Sequence, residues 1–210
     1  MTDFSTIPEL AAAKAVIFDC DGVLIESWAS TMYYFNHVRR AVGLGPMDAE
    51  LEEYCFIHTI DESLAHMVPP ELLDRAMAAK LPMPFDGMIP LIELQPGIIG
   101  FLESLRRAGK LLAVDTNGGE EQYEILRAND LLDRFDLIVT ADDVARGKPS
   151  PDGPRLILDH FALTPEEALF VGDSIMDQGA ADATGIPFWA YRNPALSARR
   201  HIDDYASLLG

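Results

Sequence analysis

The sequence is poor in the features that mark secreted and membrane proteins. It contains two cysteines in 210 residues, Cys20 and Cys55, which are too few for a disulfide framework. It lacks any unbroken apolar run of the ~18 residues that a membrane-spanning helix requires. Residues 1–10 lack the basic start and the apolar stretch of a signal peptide. We therefore expect a cytoplasmic protein with reduced thiols and no membrane partner.

Basic residues are also scarce. The chain has 16 Lys and Arg against 34 Asp and Glu, a formal net charge of −18 and an isoelectric point near 4.4. Bulk nucleic-acid binding requires basic surface, so we exclude nucleic acid as a partner. An anionic ligand would have to be met locally, by a metal and a few placed cations. Hydrophobic residues are plentiful at 49%, enough for the core of one α/β domain with a modest insertion.

Short apolar runs alternate with stretches of helical spacing. Such runs are typical of strands buried on both faces of a parallel sheet. The spacing of Ile98, Leu102 and Leu105 predicts a helix that stops at Gly109, and the tail from residue 194 to 210 predicts a last helix. The alternation predicts a doubly wound α/β sheet. The apolar runs are 15–18, 111–114, 137–139, 168–171 and 186–190.

One interval interrupts this alternation. From about residue 27 to residue 93, the sequence has helical patterns but no run typical of a buried strand. We interpret residues 27–93 as a small helical cap domain. It is inserted into an α/β core domain that consists of residues 1–26 and 94–210.

Polar clusters follow several of the predicted strands. Doubly wound folds bind their ligands at the carboxyl ends of the strands, so side chains placed there are candidates for function. Asp19 and Asp21 follow the first strand, and Lys148 lies in the loop after the third. The remaining clusters are Asp115-Thr116-Asn117 after the second strand and Asp173 with Asp177 after the fourth.

The residue types in these clusters fit phosphoryl transfer. Carboxylates brought close together repel one another unless a cation lies between them. Asp19, Asp173 and Asp177 offer oxygen ligands, which suit Mg²⁺. Lys148 offers a fixed positive charge that could hold a nucleophile and a phosphate together. Thr116 and the neighbouring N–H groups could bind phosphate oxygens.

Asp19 and Asp21 are suited to two different roles, nucleophilic attack and proton transfer. A carboxylate can attack phosphorus and form an acyl phosphate. A second acid two residues away could protonate the leaving oxygen and later accept a proton from water. Residues i and i+2 of a strand share a face, so this pairing is geometrically reasonable. Cys20, which lies between them, is expected to point the other way and to be buried.

Four segments resemble, in order and spacing, the four motifs of the haloacid dehalogenase-like hydrolase superfamily. Residues 19–27 resemble the first motif and residues 111–117 the second, an apolar strand that ends in Thr or Ser. Residues 148–152 resemble the third motif, and residues 171–177 the fourth. The helical insertion is similar to the cap of the branch that contains phosphoglycolate phosphatases and β-phosphoglucomutases.

The resemblance implies a Mg²⁺-dependent phosphatase that acts on a small phosphorylated metabolite through an aspartyl-phosphate. A monomer and a weak homodimer both fit. The implied catalytic residues are Asp19 as nucleophile, Asp21 as general acid and base, Thr116 as phosphoryl ligand and Lys148 as charge stabiliser. The implied metal ligands are Asp19, the backbone carbonyl of Asp21, Asp173 and Asp177. The implied substrate-binding residues are Gly22, Thr116, Asn117 and His58.

Three positions admit two interpretations each. Asp115 departs from the family pattern, which usually has an apolar or small residue before the Thr, and we interpret it as structural rather than specificity-determining. The aromatic cluster that begins at Trp28 is interpreted as cap core rather than as substrate pocket. His58 lies in a loop between two cap helices, where it would contact substrate or be an exposed loop residue.

Alternative functions remain open from the sequence. A phosphosugar mutase of the β-phosphoglucomutase type has a similar core, but its cap loop carries a Lys and an Arg that residues 56–60 lack. The same absence of a cap arginine weakens a specific assignment to phosphoglycolate. A haloacid dehalogenase attacks carbon and lacks the second acid, which is present here as Asp21. A catalytically inactive binding module would be expected to have lost the nucleophile, the lysine or the metal-binding acid, and all three are present.

Overall fold

The computed structural model describes residues 4–80 and 82–209, and a six-stranded sheet forms its centre. The order of that sheet is β5-β4-β1-β6-β7-β8, and each neighbouring pair runs parallel. Strands β2 and β3 pair antiparallel in a small sheet of their own. The strands are β1 (Ala15–Phe18), β2 (Ile25–Glu26), β3 (Glu93–Leu94), β4 (Leu111–Asp115), β5 (Leu137–Val139), β6 (Ala168–Gly172), β7 (Phe188–Tyr191) and β8 (Arg200–Ile202).

All the helices except α8, which follows β4, fall into two groups. Helices α1, α7, α9 and α10 contact strands of the large sheet, whereas α2 to α6 lie between β2 and β3 in the sequence. No helix in the described ranges combines the length and the apolar composition that crossing a membrane requires. The helices are α1 (Pro8–Ala12), α2 (Trp28–Ala41), α3 (Ala49–Ile57), α4 (Ile60–Met67), α5 (Leu73–Ala79), α6 (Phe85–Met88), α7 (Ile98–Arg107), α8 (Glu121–Ala128), α9 (Asp152–Phe161) and α10 (Ile175–Thr184).

The central strand β1 explains why the sheet is covered on both faces. Successive side chains of a strand point to opposite faces. Val16 and Phe18 join one hydrophobic cluster, and Ile17 joins a second cluster on the other face. All of β1 is buried, as parallel sheets with helices on both sides require. The predicted doubly wound α/β fold is confirmed.

The tail differs from its prediction. Spacing by threes in the tail suggested a helix, but Arg200–Ile202 forms β8 and only Ala206–Leu208 makes a short 3₁₀ turn. An edge strand leaves unpaired N–H and C=O groups, and β8 satisfies those of β7. This pairing with β7 outweighs the local spacing. Residues 1–3, 81 and 210, which fall within the predicted core, cap and tail, lie outside the described residues.

The inserted helices connect to the core through the small sheet. Ile25 pairs with Leu94, and Glu26 pairs with Glu93, so the chain leaves and re-enters the core side by side. The five helices between these strands agree with the predicted helical insertion. The predicted domain limits at residues 26 and 94 fall within this strand pair.

Gly97 and Gly109 offer a matched test of the backbone. Both have positive φ, +80° and +75°, where a side chain costs about 1 kcal/mol. A methyl group at Gly97 would lie 2.6 Å from the backbone N of Ala206, whereas at Gly109 it would meet nothing within 4 Å.

We expect Gly109→Ala to lower the free energy of unfolding by about 1 kcal/mol, and Gly97→Ala to lower it by at least about 3 kcal/mol. Urea unfolding followed by circular dichroism measures both. Equal losses would contradict the described packing of the tail against the start of α7.

Candidate active site

The site forms where the three central strands end. Because β4 and β6 flank β1 in parallel, their carboxyl ends meet at one edge of the sheet. Asp19 follows β1, Thr116 follows β4 and Asp173 follows β6. Lys148 reaches the same place from the loop between β5 and α9. These residues are distant in sequence but neighbours in space, as expected for side chains at the carboxyl ends of parallel strands.

Lys148 is the centre of a buried ion cluster. Its Nζ lies 2.7 Å from Oδ1 of Asp19, 2.6 Å from Oδ1 of Asp177 and 2.9 Å from the carbonyl oxygen of Asp115. An ammonium group has three donors, and these acceptors use all of them. Only 6% of Lys148 is exposed, so these charge-assisted bonds are shielded from water.

Asn117 holds the lysine loop in place. Its Oδ1 accepts a hydrogen bond from the Lys148 N–H at 2.7 Å, and its Nδ2 donates to the Lys148 carbonyl at 3.0 Å. The same Nδ2 donates to the carbonyl of Ile57, at the end of α3, at 3.1 Å. The peptide bond between Lys148 and Pro149 is cis. The side chain of Asn117 thus joins the strand end, the lysine and the inserted helices.

Three carboxylates are close enough to share a metal ion. Asp19, Asp173 and Asp177 each offer an oxygen within 4.8 Å of the others, and no other such group occurs in residues 4–80 and 82–209. A side chain at Gly22, whose φ is +80°, would overlap the Asp173 carboxylate, so glycine allows this approach. An all-oxygen donor set is the one that Mg²⁺ prefers. The residues present therefore fit the predicted metal.

The proton affinities of the cluster reflect its excess of negative charge. Burial, reinforced by Asp177, raises the pKa of Asp19 well above its usual value, although Lys148 opposes the shift. Burial and Asp177 also raise the pKa of Asp173, to about 8. Burial lowers the pKa of Lys148, but Asp177 and Asp19 outweigh burial and raise it, so the lysine stays charged. One lysine does not balance these acids, and a bound cation would favour their ionised forms.

Asp21 is held by two side chains. Its Oδ1 accepts a hydrogen bond from the Ser27 hydroxyl, and its Oδ2 accepts one from Nε2 of Gln122 at 2.8 Å. Burial raises the pKa of Asp21, and both hydrogen bonds act in the opposite direction. Cys20 is buried, as predicted, and its Sγ donates to Oε1 of Gln122 at 3.4 Å. The sequence analysis did not identify Ser27 or Gln122 as site residues. Ser27 is the last residue of the first motif, where no role was assigned to it, and Gln122 lies outside all four motifs.

A small cavity of about 70 Å³ opens above these acids. Its far wall belongs to the inserted helices and includes Phe35, Phe56 and Ile60. The predicted site residues that line it are Asp19, Asp21, His58, Thr116, Asn117, Lys148 and Asp173. Gly22 and Asp177 are not among its described lining residues, and substrate contact by Gly22 stays a prediction.

His58 and the aromatic cluster occupy this cavity wall in different ways. His58 lines the cavity, and its Nδ1 donates to the Tyr54 carbonyl at 2.8 Å, because a carbonyl can only accept. Tyr34 and Phe35 are buried in the inserted helices and also line the cavity. Trp28 packs on Phe56, with ring centroids 4.9 Å apart. Tyr34 and Phe35 therefore belong both to the core of the inserted helices and to the cavity wall, whereas Trp28 is not among the described lining residues.

Asp115 lies beneath the site rather than in it. It is 3% exposed, and its Oδ2 has no hydrogen-bond partner among the described residues. A side chain at Gly153 would overlap its carboxyl group. Asp115 is not among the described lining residues of the cavity, so its position gives no support to a specificity role.

The fold and the site together define a class of enzyme. It has a doubly wound α/β core, an acidic site with one buried lysine at the strand ends, and inserted helices above the site. The chain belongs to the haloacid dehalogenase-like hydrolase family, whose profile matches residues 16–191. The predicted resemblance is confirmed.

Curated relatives and solved structures agree with this assignment. Phosphoglycolate phosphatase from Rhodobacter capsulatus is 29% identical over 94% of this chain and 96% of its own length. A haloacid dehalogenase superfamily hydrolase from Geobacter sulfurreducens is 31% identical, with a TM-score of 0.74 over 95% of this chain and 97% of its own. A CbbY mutant from Rhodobacter sphaeroides, solved with xylulose-1,5-bisphosphate, is 27% identical, with a TM-score of 0.77 over 94% of this chain and 99% of its own.

Because Asp115 is buried, we expect that replacing it with an uncharged residue raises the free energy of unfolding by an amount that depends on pH. Burial raises the pKa of Asp115 from 3.8 to about 7, opposed by Lys148 and reinforced by Asp177. The folded protein binds this proton more tightly than the unfolded chain, so Asp115 lowers stability increasingly as the pH rises from 4 to 7. Asparagine cannot ionise. The stability gained by Asp115→Asn should therefore grow by about 2–3 kcal/mol between about pH 5 and pH 8.

Urea unfolding at the two pH values measures this difference. The exposed Asp133→Asn serves as a control, because that position lacks the burial that shifts Asp115. A gain from Asp115→Asn that is independent of pH would contradict the prediction.

Proposed function

We propose that this protein is a Mg²⁺-dependent phosphatase that hydrolyses a small organic phosphomonoester through an aspartyl-phosphate on Asp19. The observation that carries the proposal is the contact between Lys148 and Asp19 at the floor of a cavity that also contains Asp21. A nucleophile, a fixed cation and a second acid then face the same enclosed space.

In the first step, Asp19 acts as the nucleophile. Lys148 binds its Oδ1, so the other oxygen, Oδ2, attacks phosphorus. The bond from phosphorus to the alcohol oxygen breaks as the acyl phosphate forms, and Asp21 gives its proton to that oxygen. Thr116 and the backbone N–H of Asn117 bind phosphoryl oxygens, and Lys148 offsets the developing charge.

In the second step, Asp21 reverses its role. Its carboxylate takes a proton from a water molecule whose oxygen attacks phosphorus. The acyl phosphate bond breaks, which returns the Asp19 carboxylate and releases inorganic phosphate. Ser27 and Gln122 position Asp21 for both proton transfers, since they bind its two oxygens.

The metal would be held by residues already in place. Asp19, Asp173 and Asp177, with the backbone carbonyl of Asp21, would hold Mg²⁺. When bound, the ion supplies positive charge that neutralises phosphoryl and carboxylate oxygens.

The inserted helices form the cap in this proposal. Residues 27–93 are the cap domain, and residues 1–26 with 94–210 are the core. The paired strands β2 and β3 mark the junction between them. Closure of the cap would exclude water between the two steps. The substrate is a small phosphorylated metabolite, in keeping with the ligands named for the relatives. We propose a cytoplasmic monomer or weak homodimer.

Replacing the nucleophile tests this proposal. Asp19→Asn should lower kcat by on the order of a thousandfold or more, because an amide does not form the acyl phosphate. Phosphate release from p-nitrophenyl phosphate and a panel of phosphosugars is measured with Mg²⁺ and with EDTA. The wild type should lose activity in EDTA and regain it when Mg²⁺ is restored. Turnover that persists in Asp19→Asn, or in EDTA, would sink the proposal.

The role of Gln122 is tested separately. Gln122→Met should lower kcat by about tenfold, since a hydrogen bond to a charged group contributes ~1.5 kcal/mol, and should change KM much less. Gln178→Met, on α10, is the control. Equal kcat values for the two variants would remove Gln122 from the positioning of Asp21.

A further inference from the structure

The inner cavity offers a leaving alcohol mostly apolar surface. Beyond the acids and Lys148, its wall from the inserted helices and their loops includes Phe35, Phe56, Ile60 and Met83. Such a wall gives favourable contact to carbon and none to charge. The uncharged polar groups in the same wall, Ser30, Thr31 and Tyr34, suit hydroxyl groups.

The described lining of the inner cavity offers no lysine or arginine for a second anionic group. Lys148 is the one lysine or arginine among the described residues that line the inner cavity. Its three donors are already used by Asp19, Asp177 and the Asp115 carbonyl. A carboxylate or second phosphate on the leaving alcohol would lose its hydration without gaining a lysine or arginine partner, which is costly.

The cleft beside the cavity adds electrostatic repulsion. It measures about 1080 Å³ and shares Tyr34, Ile60, Met83 and Glu121 with the inner cavity, so the two are adjacent. Its lining carries more carboxylates than cations: Asp61, Glu62, Glu120, Glu121, Glu124 and Asp142 against Lys80, Arg146 and Lys148.

The two outer cations of the cleft are already paired. Lys80 binds Asp61 at 2.8 Å, and Arg146 binds Asp152 at 3.1 Å. Glu121 stands where the cleft meets the cavity, and its Oε1 accepts a hydrogen bond from the Gly119 N–H at 2.6 Å. Each negative charge beyond those of the phosphoryl group therefore adds to the repulsion between an approaching ester and this lining.

We infer that the substrate is the phosphomonoester of an uncharged alcohol, and that the enzyme discriminates against esters whose alcohol carries a second anionic group. The inference rests on the proposed phosphatase function and narrows its substrate class. The substrate inferred for this chain differs from the ligands named for its relatives, because phosphoglycolate carries a carboxylate and xylulose-1,5-bisphosphate carries a second phosphate.

A matched pair of substrates tests the inference. 2-Hydroxyethyl phosphate and 2-phosphoglycolate differ in whether a hydroxymethyl or a carboxylate group ends the molecule. Assays at about pH 8 minimise any cationic contribution from histidine side chains. We expect kcat/KM for the uncharged ester to exceed that for phosphoglycolate by at least about tenfold. An equal or higher value for phosphoglycolate would overturn the inference and leave the phosphatase proposal standing.

An added cation tests the physical cause. Met83 lines both cavity and cleft, and lysine has a similarly long, flexible side chain. Met83→Lys should raise the kcat/KM of phosphoglycolate relative to the uncharged ester by about fivefold or more. The neutral Met83→Gln is the matched control and should leave that ratio within about twofold. If both variants shift the ratio alike, charge is not the cause.

Binding separates this inference from the proposed function. Hydrolysis of p-nitrophenyl phosphate reports phosphatase activity whatever the natural alcohol is. If neither matched ester is hydrolysed, calorimetry on Asp19→Asn with Mg²⁺ compares their Kd values. Tighter binding of the uncharged ester would support the inference, and equal or tighter binding of phosphoglycolate would overturn it.

Discussion

The buried contact between Lys148 and two aspartates is the interaction on which the site depends. Carboxylates at the ends of adjacent strands repel one another, and burial makes that repulsion stronger. Lys148 spans Asp19 and Asp177 with bonds of 2.7 and 2.6 Å. Asn117 fixes the lysine loop, and it also binds the end of α3. Asn117 thereby links the loop that carries the buried lysine to the inserted helices.

The main features of the fold and much of the site could be predicted from local sequence. The buried runs are uniform because helices cover both faces of the sheet, and polar clusters at strand ends are adjacent in any parallel sheet. Gln122 could not be predicted, because it is 101 residues from Asp21 and its role depends on how α8 packs. The tail was predicted wrongly because edge pairing with β7 decides its structure rather than local spacing.

The scarcity of basic residues has a consequence for substrate choice. A chain with a net charge of −18 can bind a phosphate only where a cation has been placed, and the described lining of the inner cavity has one lysine. That lysine is committed to Asp19 and Asp177, so a bound metal ion would supply the remaining positive charge. The same scarcity of lysine and arginine makes the part of the cavity wall that would face the leaving alcohol suited to uncharged groups.

In the proposed mechanism, the phosphoryl group passes through Asp19. Acid-quenched enzyme taken during turnover, digested and analysed by mass spectrometry, tests it most directly. If Asp19 is the nucleophile, the peptide that contains it will carry one added phosphoryl group with substrate and Mg²⁺, and none in Asp19→Asn. A phosphoryl group on another residue, or Asp19→Asn turning over at the wild-type rate, would contradict it.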